Sequence, residues 1–381
     1  MRALSLAAGV ACLLTVLFDA FQTIILPRRA TGRFRLTRIF YIATWNPWVF
    51  FAKRIPNPRK RETAFSYYGP LSLIFLLVVW AAAMVLGFAL VFYSLGSPFA
   101  DPAQHAGFRT DIYVSGTTVF TLGLGDVLPQ GPWARGLLIL EAGTGFGFLA
   151  VVMGYFPVLY SAFSRREVSI ALLDARAGSP PTAVELLRRH SGPHGQDALR
   201  DLLHNWERWS AQILESHVSY PVVSYFRSQH SNESWLAALA TILDVSALLI
   251  SNADDACSRQ ARLTFAMCRH TVVDLAQVFY RKPLIGIADR LPPEELKRMR
   301  AALKQSGFEM QGTEAADNKL AHLREMYEPY LQALAAHLYL DLPPWILSKE
   351  ITDNWRTSAW GRISGFSAAR QEEVTVDDHS D

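Results

Sequence analysis

Three long apolar runs divide the first part of the chain, at residues 3–26, 71–95 and 136–163. Each is longer than the ~20 helical residues that cross a hydrocarbon core of ~30 Å. Because backbone polar groups in lipid must be paired within their own segment, each run is predicted to be a transmembrane helix. The first, assigned to residues 1–27, is too long for the apolar part of a signal peptide and lacks a small-x-small cleavage site, which favours a retained helix.

Basic residues predict the orientation of these helices. Residues 28–69 hold ten Lys or Arg side chains against a single acid, Glu62. Basic loops stay in the cytoplasm, so the N-terminus is predicted outside and the C-terminus inside a plasma (inner) membrane. Within this linker, residues 39–52 are apolar and aromatic but too short to span, which predicts an interfacial helix on the inner leaflet, with a re-entrant segment as the alternative.

The segment between the second and third runs has the order of a re-entrant pore loop. A polar stretch is followed by a short helix-compatible segment at 112–120 and then by Thr121-Leu122-Gly123-Leu124-Gly125-Asp126. A pore that passes a dehydrated ion must replace its water with rings of oxygen, which backbone carbonyls supply when they face one way. The required backbone angles at alternate positions are open to Gly123 and Gly125.

One loop supplies one strand of carbonyls, so four chains must surround the axis, and a homotetramer is predicted. The Thr121 hydroxyl can add an innermost ring of oxygens. Irregular backbone at this depth is tolerated only where it lines a cavity within protein, which agrees with a central pore in a lipid bilayer.

This segment resembles the potassium channel family with a single pore loop between two transmembrane helices, in its bacterial form. The family pattern is Thr-Val-Gly-Tyr-Gly-Asp, against Thr121-Leu122-Gly123-Leu124-Gly125-Asp126 here. Pro129, Trp133 and Arg135 also stand where bacterial members often carry the same residues, and Gly145 falls at the hinge glycine of the inner helix. The resemblance covers a pore domain at residues 70–166 and implies a passive K⁺ channel whose filter residues 121–126 bind the ion.

Two departures from the pattern leave alternatives open. Leu124 replaces the usual tyrosine and lacks the hydroxyl that anchors the filter, and Phe120 replaces a common threonine. A weakly selective monovalent cation channel is therefore one alternative, and a non-conducting membrane adaptor with a vestigial pore is another.

Several residues around the filter are candidates for support or gating. Filter support is assigned to Thr117, Thr118 and Glu141. Hinge or gate roles are assigned to Gly145, Phe156, Pro157, Tyr160 and Phe163, with ordinary lipid or helix contact as the alternative for the three aromatic residues. Glu141, an acid inside a membrane helix, either braces the filter or belongs to the ion pathway. Asp126 raises the cation concentration at the outer mouth or caps the filter, and Asp19 is expected to pair with a loop arginine.

Beyond Arg166 the pattern becomes that of a soluble helical bundle. Helical periodicity appears at residues 182–189, 196–216, 234–251, 255–279, 292–306 and 315–340. We therefore predict an all-α membrane protein, with a pore-loop cation channel core, a C-terminal cytoplasmic helical bundle at 180–362 and a disordered tail at 363–381. No span is predicted after Arg165.

The remaining composition predicts few other chemistries. Cys12, Cys257 and Cys268 lack the spacing of a disulfide framework or a zinc site, and the histidines are scattered. We expect no enzyme, no cofactor, no metal other than K⁺ in the filter and no nucleic-acid partner. An unknown gating ligand or protein on the cytoplasmic helical domain remains a possible partner.

Overall fold

A computed structural model describes residues 1–26, 35–101, 106–192, 194–228, 233–252, 256–286, 289–308 and 310–347. These fold into two compact units, Met1–Ser161 and Ala162–Asp381. The first unit holds α1 (Arg2–Ala20), which continues as a π-helical turn (Phe21–Ile25), α2 (Leu36–Ala52), α3 (Pro58–Ser94), β1 (Phe99–Ala100), α4 (Phe108–Val119), β2 (Leu128–Pro129) and most of α5 (Gly131–Ala177). The second holds the end of α5 with α6 (Ala183–Arg189), α7 (Gly195–Ser219), a 3₁₀ turn (Pro221–Tyr225), α8 (Trp235–Asn252), α9 (Ala256–Val278), α10 (Pro293–Gln305), α11 (Glu314–Glu325) and α12 (Glu328–Leu338).

The three predicted transmembrane helices are present as α1, α3 and α5, and each is long and apolar enough to cross a membrane. The all-α fold class is confirmed, since the strands in the described residues are two residues long. α8 also has the length and hydropathy of a span, but it is wholly buried among other helices of the second unit. A helix that is apolar on all sides is either a span or the centre of a core, and this burial favours the core.

α1 packs antiparallel against α3 through two glycines. A Cβ at Gly9 would lie 2.7 Å from the carbonyl oxygen of Gly87, and a Cβ at Gly87 would lie 2.7 Å from Leu13 Cγ. Small residues let transmembrane helices approach closely, where van der Waals contact replaces the missing hydrophobic drive. The helix α1 therefore packs closely against α3, because the two glycines leave room for the contact.

α3 begins well before the apolar run that predicted it. The Asn57 side chain accepts hydrogen bonds from the N–H groups of Arg59 and Lys60, and Pro58 occupies the first helical position. These are strong helix-start residues, so the expectation that residues 58–69 belong to a linker is corrected to a continuous helix.

α2 runs antiparallel along the first half of α3. The rings of Trp45 and Tyr68 lie 4.6 Å apart, and Trp48 Nε1 donates to the Ala64 carbonyl at 3.0 Å. The Thr44 and Tyr68 hydroxyls are hydrogen-bonded at 2.9 Å. The predicted interfacial position of α2 is untested by these contacts and stays a prediction.

α5 is longer than the apolar run at 136–163. It continues to Ala177, with Ile170 and Leu173 buried in the second unit, because residues 164–177 carry their own apolar stripe among good helix formers.

The single helix expected at 315–340 is instead α11 and α12, since Pro329 lacks the N–H that would continue the helix through this point. The part of the predicted bundle at 348–362 and the predicted disordered tail at 363–381 lie outside the described residues.

Candidate ion-conduction site

The filter backbone alternates in the sign of φ. Thr121 has φ +58°, Gly123 +55° and Gly125 +76°, whereas Leu122 and Leu124 between them do not lie in the left-handed region. The predicted unusual angles at Gly123 and Gly125 are therefore present, and Thr121 extends the alternation by one residue. Such alternation is the backbone condition for turning successive carbonyls toward one side of a strand.

The C-terminus of α4 holds the inner end of the filter. The Thr117 carbonyl accepts from the N–H groups of Leu122 at 2.7 Å and Gly123 at 3.4 Å, and the Thr118 carbonyl accepts from Thr121 N–H at 3.0 Å. The last carbonyls of a helix lack partners within it, and here the filter supplies them. Thr117 and Thr118 thus contact the filter through their main chains.

Tyr113 of α4 ties down the outer end of the filter. Its hydroxyl donates to Asp126 Oδ2 at 2.7 Å, a distance typical of a charge-assisted hydrogen bond. This residue was missed in the sequence, where the lost hydroxyl at Leu124 was treated as a lost anchor. A tyrosine thirteen residues before the filter acid was the available signal, because six more residues of α4 lead away from Tyr113 and the non-helical filter strand leads back.

Short contacts fix the segments that enter and leave the loop. β1 and β2 pair antiparallel, Phe99 with Pro129 and Ala100 with Leu128, and Gln130 N–H donates to the Pro98 carbonyl at 2.8 Å. These bonds join the chain after α3 to the chain after the filter, so the filter is held at both ends.

The first turn of α4 contains a buried acid that is hydrogen-bonded to the segment before β1. The Ser97 hydroxyl donates to Asp111 Oδ2 at 2.7 Å, and Asp111 is completely buried in the first turn of α4. A carboxylate in a first helical turn is stabilised by the helix dipole, which complements the bond from Ser97.

Gly145 lies where α5 touches the end of α4. A Cβ at this position would meet the Val119 carbonyl oxygen at 2.4 Å and its Cα at 2.8 Å. No larger residue fits without moving the pore helix, so close approach explains this glycine whether or not it also serves as a hinge. Its hinge role stays a prediction.

Glu141 is buried one turn before this contact, beside Ser115 of α4. Neither carboxylate oxygen of Glu141 has a hydrogen-bond partner among the described residues. The roles given to Glu141, as a brace of the filter or as part of the ion pathway, stay predictions.

The gate candidates differ in their surroundings. Phe156, Pro157 and Tyr160 are exposed on the first unit, and α5 remains one continuous helix through Pro157. Phe163 belongs to the second unit, where its ring lies 5.8 Å from that of Phe226. Phe163 therefore has a packing role there, and the gate roles stay predictions.

Comparison with known proteins finds a match to part of the first unit. Residues 78–161 match the family model described as "Ion channel", Ion_trans_2. This stretch is therefore similar to ion channel domains. The match runs from within α3 to the middle of α5, and it confirms the predicted resemblance over this stretch.

The similarity reaches beyond the channel domain. The uncharacterized membrane protein YdjJ of Bacillus subtilis (strain 168) is 24% identical over 279 residues, which are 70% of this chain and 78% of that protein. No solved structure matches the chain. Among the described residues no group of three or more His, Cys, Asp or Glu side chains could hold a metal ion.

Much of the apolar surface of residues 78–161 is exposed in the single chain. Leu122 and Leu124 in the filter are 63% and 62% exposed, and Phe146 and Met153 of α5 are exposed to a similar degree. The filter and most of the apolar part of α5 therefore present side chains that a single chain does not cover.

Proposed function

We propose that the protein is a potassium channel in which four copies of residues 121–126 line one axis and conduct K⁺ passively across the plasma membrane. The observation that carries this proposal is the alternation of φ at Thr121, Gly123 and Gly125, held in place by the carbonyls of Thr117 and Thr118. A strand so arranged can present successive main-chain oxygens to a dehydrated ion.

Exposed apolar surface supports the tetramer. Exposed apolar side chains on a membrane-spanning helix face lipid or another helix, and those of α5 and the filter lie on the two elements that a central pore would bring together. The leucine side chains that alternate with the filter carbonyls would then be covered by neighbouring subunits. Gly145 brings α5 and α4 together within each subunit.

The bond from Tyr113 to Asp126 supports selectivity for K⁺ over the weakly selective alternative. A filter discriminates by the number and placement of its carbonyls, which requires its backbone to keep its shape. The hydroxyl lost at Leu124 is replaced by one from the pore helix, which holds the outer end of the strand. The proposed orientation, with the N-terminus outside and the bundle inside, rests on the basic residues of 28–69.

Potassium flux from purified protein in liposomes tests this function. Wild-type protein should release K⁺ down its gradient, and Gly123→Ala should abolish the flux because Ala strains the left-handed position. Gly143→Ala is the matched control, since a Cβ there meets no atom within 4 Å in the protomer.

Two results would contradict the proposal. Flux through Gly123→Ala at the wild-type level would remove the filter from the pathway, and no flux from wild type under any gating condition would favour the adaptor alternative. Reversal potentials in mixed K⁺ and Na⁺ separate the selective channel from the weakly selective one.

A further inference from the structure

A cavity of about 470 Å³ lies in the first unit between the end of α1 and the start of α2. Its polar lining comes from Thr15, Asp19, Gln22 and Arg35, and its apolar lining from Leu14, Phe18 and Leu36. Cavities of ~300–1,000 Å³ with a few convergent polar groups on apolar walls are typical of ligand sites.

One oxygen of the Asp19 carboxylate, Oδ2, has three donors, and the other, Oδ1, has no hydrogen-bond partner among the described residues. Its Oδ2 accepts from Thr37 N–H at 3.1 Å, from the Thr37 hydroxyl and from Trp80 Nε1 at 3.0 Å. This polar node joins α1, α2 and α3, and it explains the burial of an acid inside the first apolar run. The predicted pairing of Asp19 with a loop arginine is found as an ion pair with Arg35, at 3.8 Å from Nε to Oδ1.

Arg35 is left with donor capacity that its neighbours do not use. Its Nη2 donates to the Thr23 hydroxyl at 2.9 Å, but Nε lies beyond hydrogen-bond distance of Asp19 and has no hydrogen-bond partner among the described residues. The Arg35 side chain is only 14% exposed, and its Nε can still donate to an anionic acceptor.

The other walls of the cavity have the character of a lipid contact. Leu14 and Phe18 are 64% and 61% exposed on a helix that crosses the membrane. They lie up to two turns before Gln22, in the direction of the membrane interior, whereas Arg35 directly follows the basic loop. A cation at the membrane surface with apolar side chains above it matches a lipid headgroup with its acyl chain.

We propose that this cavity binds the phosphate of an anionic glycerophospholipid, with Arg35 as its charged ligand and an acyl chain along Leu14, Phe18 and Leu36. Gln22 offers an amide donor to the same headgroup. The assignment to the inner leaflet rests on the proposed orientation, but the binding itself is independent of ion conduction. The site is separate from the filter, so conduction can fail while lipid binding persists.

Native mass spectrometry of the full-length protein in detergent tests the site, with titration of phosphatidylglycerol or phosphatidylcholine. Wild type should bind phosphatidylglycerol more tightly than phosphatidylcholine. Arg35→Gln should weaken phosphatidylglycerol binding about tenfold or more, the loss expected for one charge-assisted hydrogen bond. Arg59→Gln is the matched control, because it removes the same charge from an exposed position near the start of α3.

A second variant protects the test against misfolding of Arg35→Gln. Phe18→Ser changes an exposed side chain. It should weaken the binding of phosphatidylglycerol and leave any stabilisation of the protein by inorganic phosphate unchanged. Equal binding of the two lipids, or equal effects of Arg35→Gln and Arg59→Gln, would overturn the proposal. Inorganic phosphate that raises the melting temperature as much as phosphatidylglycerol would overturn the lipid assignment.

Discussion

Thr121 has the most strained backbone conformation in the filter. Glycine enters the left-handed region without steric cost, but a β-branched residue there costs on the order of 1–3 kcal/mol. Its N–H bond to the Thr118 carbonyl, at 3.0 Å, fixes the residue in this conformation directly after the pore helix. The strain therefore sits at the residue whose hydroxyl is proposed to face the ion.

The anchor from Tyr113 to Asp126 is testable at the same scale. Tyr113→Phe removes one charge-assisted hydrogen bond, worth about 1.5–3 kcal/mol, without changing the ring. We expect the ratio of K⁺ to Na⁺ permeability to fall, measured from reversal potentials. Tyr67→Phe, on an exposed side chain of α3, serves as the control and should leave the ratio unchanged. An unaltered ratio in Tyr113→Phe would show that this bond does not keep the filter in shape.

Among the elements, the end of α5 is bound to the helical bundle by one buried arginine. Arg166 donates to the carbonyls of Val223 at 3.0 Å and Phe226 at 2.8 Å, and to Glu167 at 2.9 Å. His217 of α7 lies 3.5 Å from the same guanidinium. Burial and then the charge of Arg166 hold the pKa of His217 well below 6.5, so this histidine is neutral in the folded protein.

This depressed pKa predicts how stability depends on pH. The unfolded chain takes up a proton at His217 near pH 6.5 and the folded chain does not, so folding is favoured above that pH and loses stability below it. We expect a loss of about 1.4 kcal/mol per pH unit below ~6.5 from this one group. Chemical unfolding of the second unit, followed between about pH 7.5 and 5.5, measures the slope.

His217→Gln should remove the contribution of one proton to that slope, which is about 1.4 kcal/mol per pH unit. His322→Gln is the control, since His322 is 75% exposed on α11. His337 contributes in the same direction, because burial lowers its pKa to about 3, and its share remains in both variants. An identical slope in His217→Gln and wild type would contradict the assignment.

For the whole molecule, the filter contacts found within one chain among the described residues all lie in one unit. Tyr113, Thr117, Thr118 and the β1–β2 pairing all belong to Met1–Ser161. The second unit has its own core around the wholly buried α8. Selectivity is therefore expected to be a property of the first unit, with the bundle left to assembly or gating.

A chain that ends at Arg176 tests this division. It should keep the wild-type ratio of K⁺ to Na⁺ permeability, since no filter contact is removed, while its open probability changes. Single-channel recording measures both quantities, and size-exclusion chromatography checks that the assembly persists. A changed permeability ratio in an intact assembly would show that the bundle shapes the filter.

The amino-acid sequence alone determined the membrane helices, the pore loop and the helical class of the second unit. These follow from local rules, because apolar run length, basic loops and glycine spacing act within a short stretch of chain. It also contained the signals for the longer α3 and α5, the cap at Asn57 and the apolar stripe with Ile170 and Leu173, but the length of the apolar runs alone does not use them.

Only the tertiary structure decided which groups meet across the fold. The bond from Tyr113 to Asp126, the contact of Gly145 with Val119 and the node that joins Asp19, Thr37 and Trp80 each link residues from separate elements. Such contacts depend on the relative placement of helices to within about 1 Å, because a hydrogen bond weakens steeply outside its distance range. Hydrophobic pattern specifies that helices pack, and side-chain geometry at their contacts decides where.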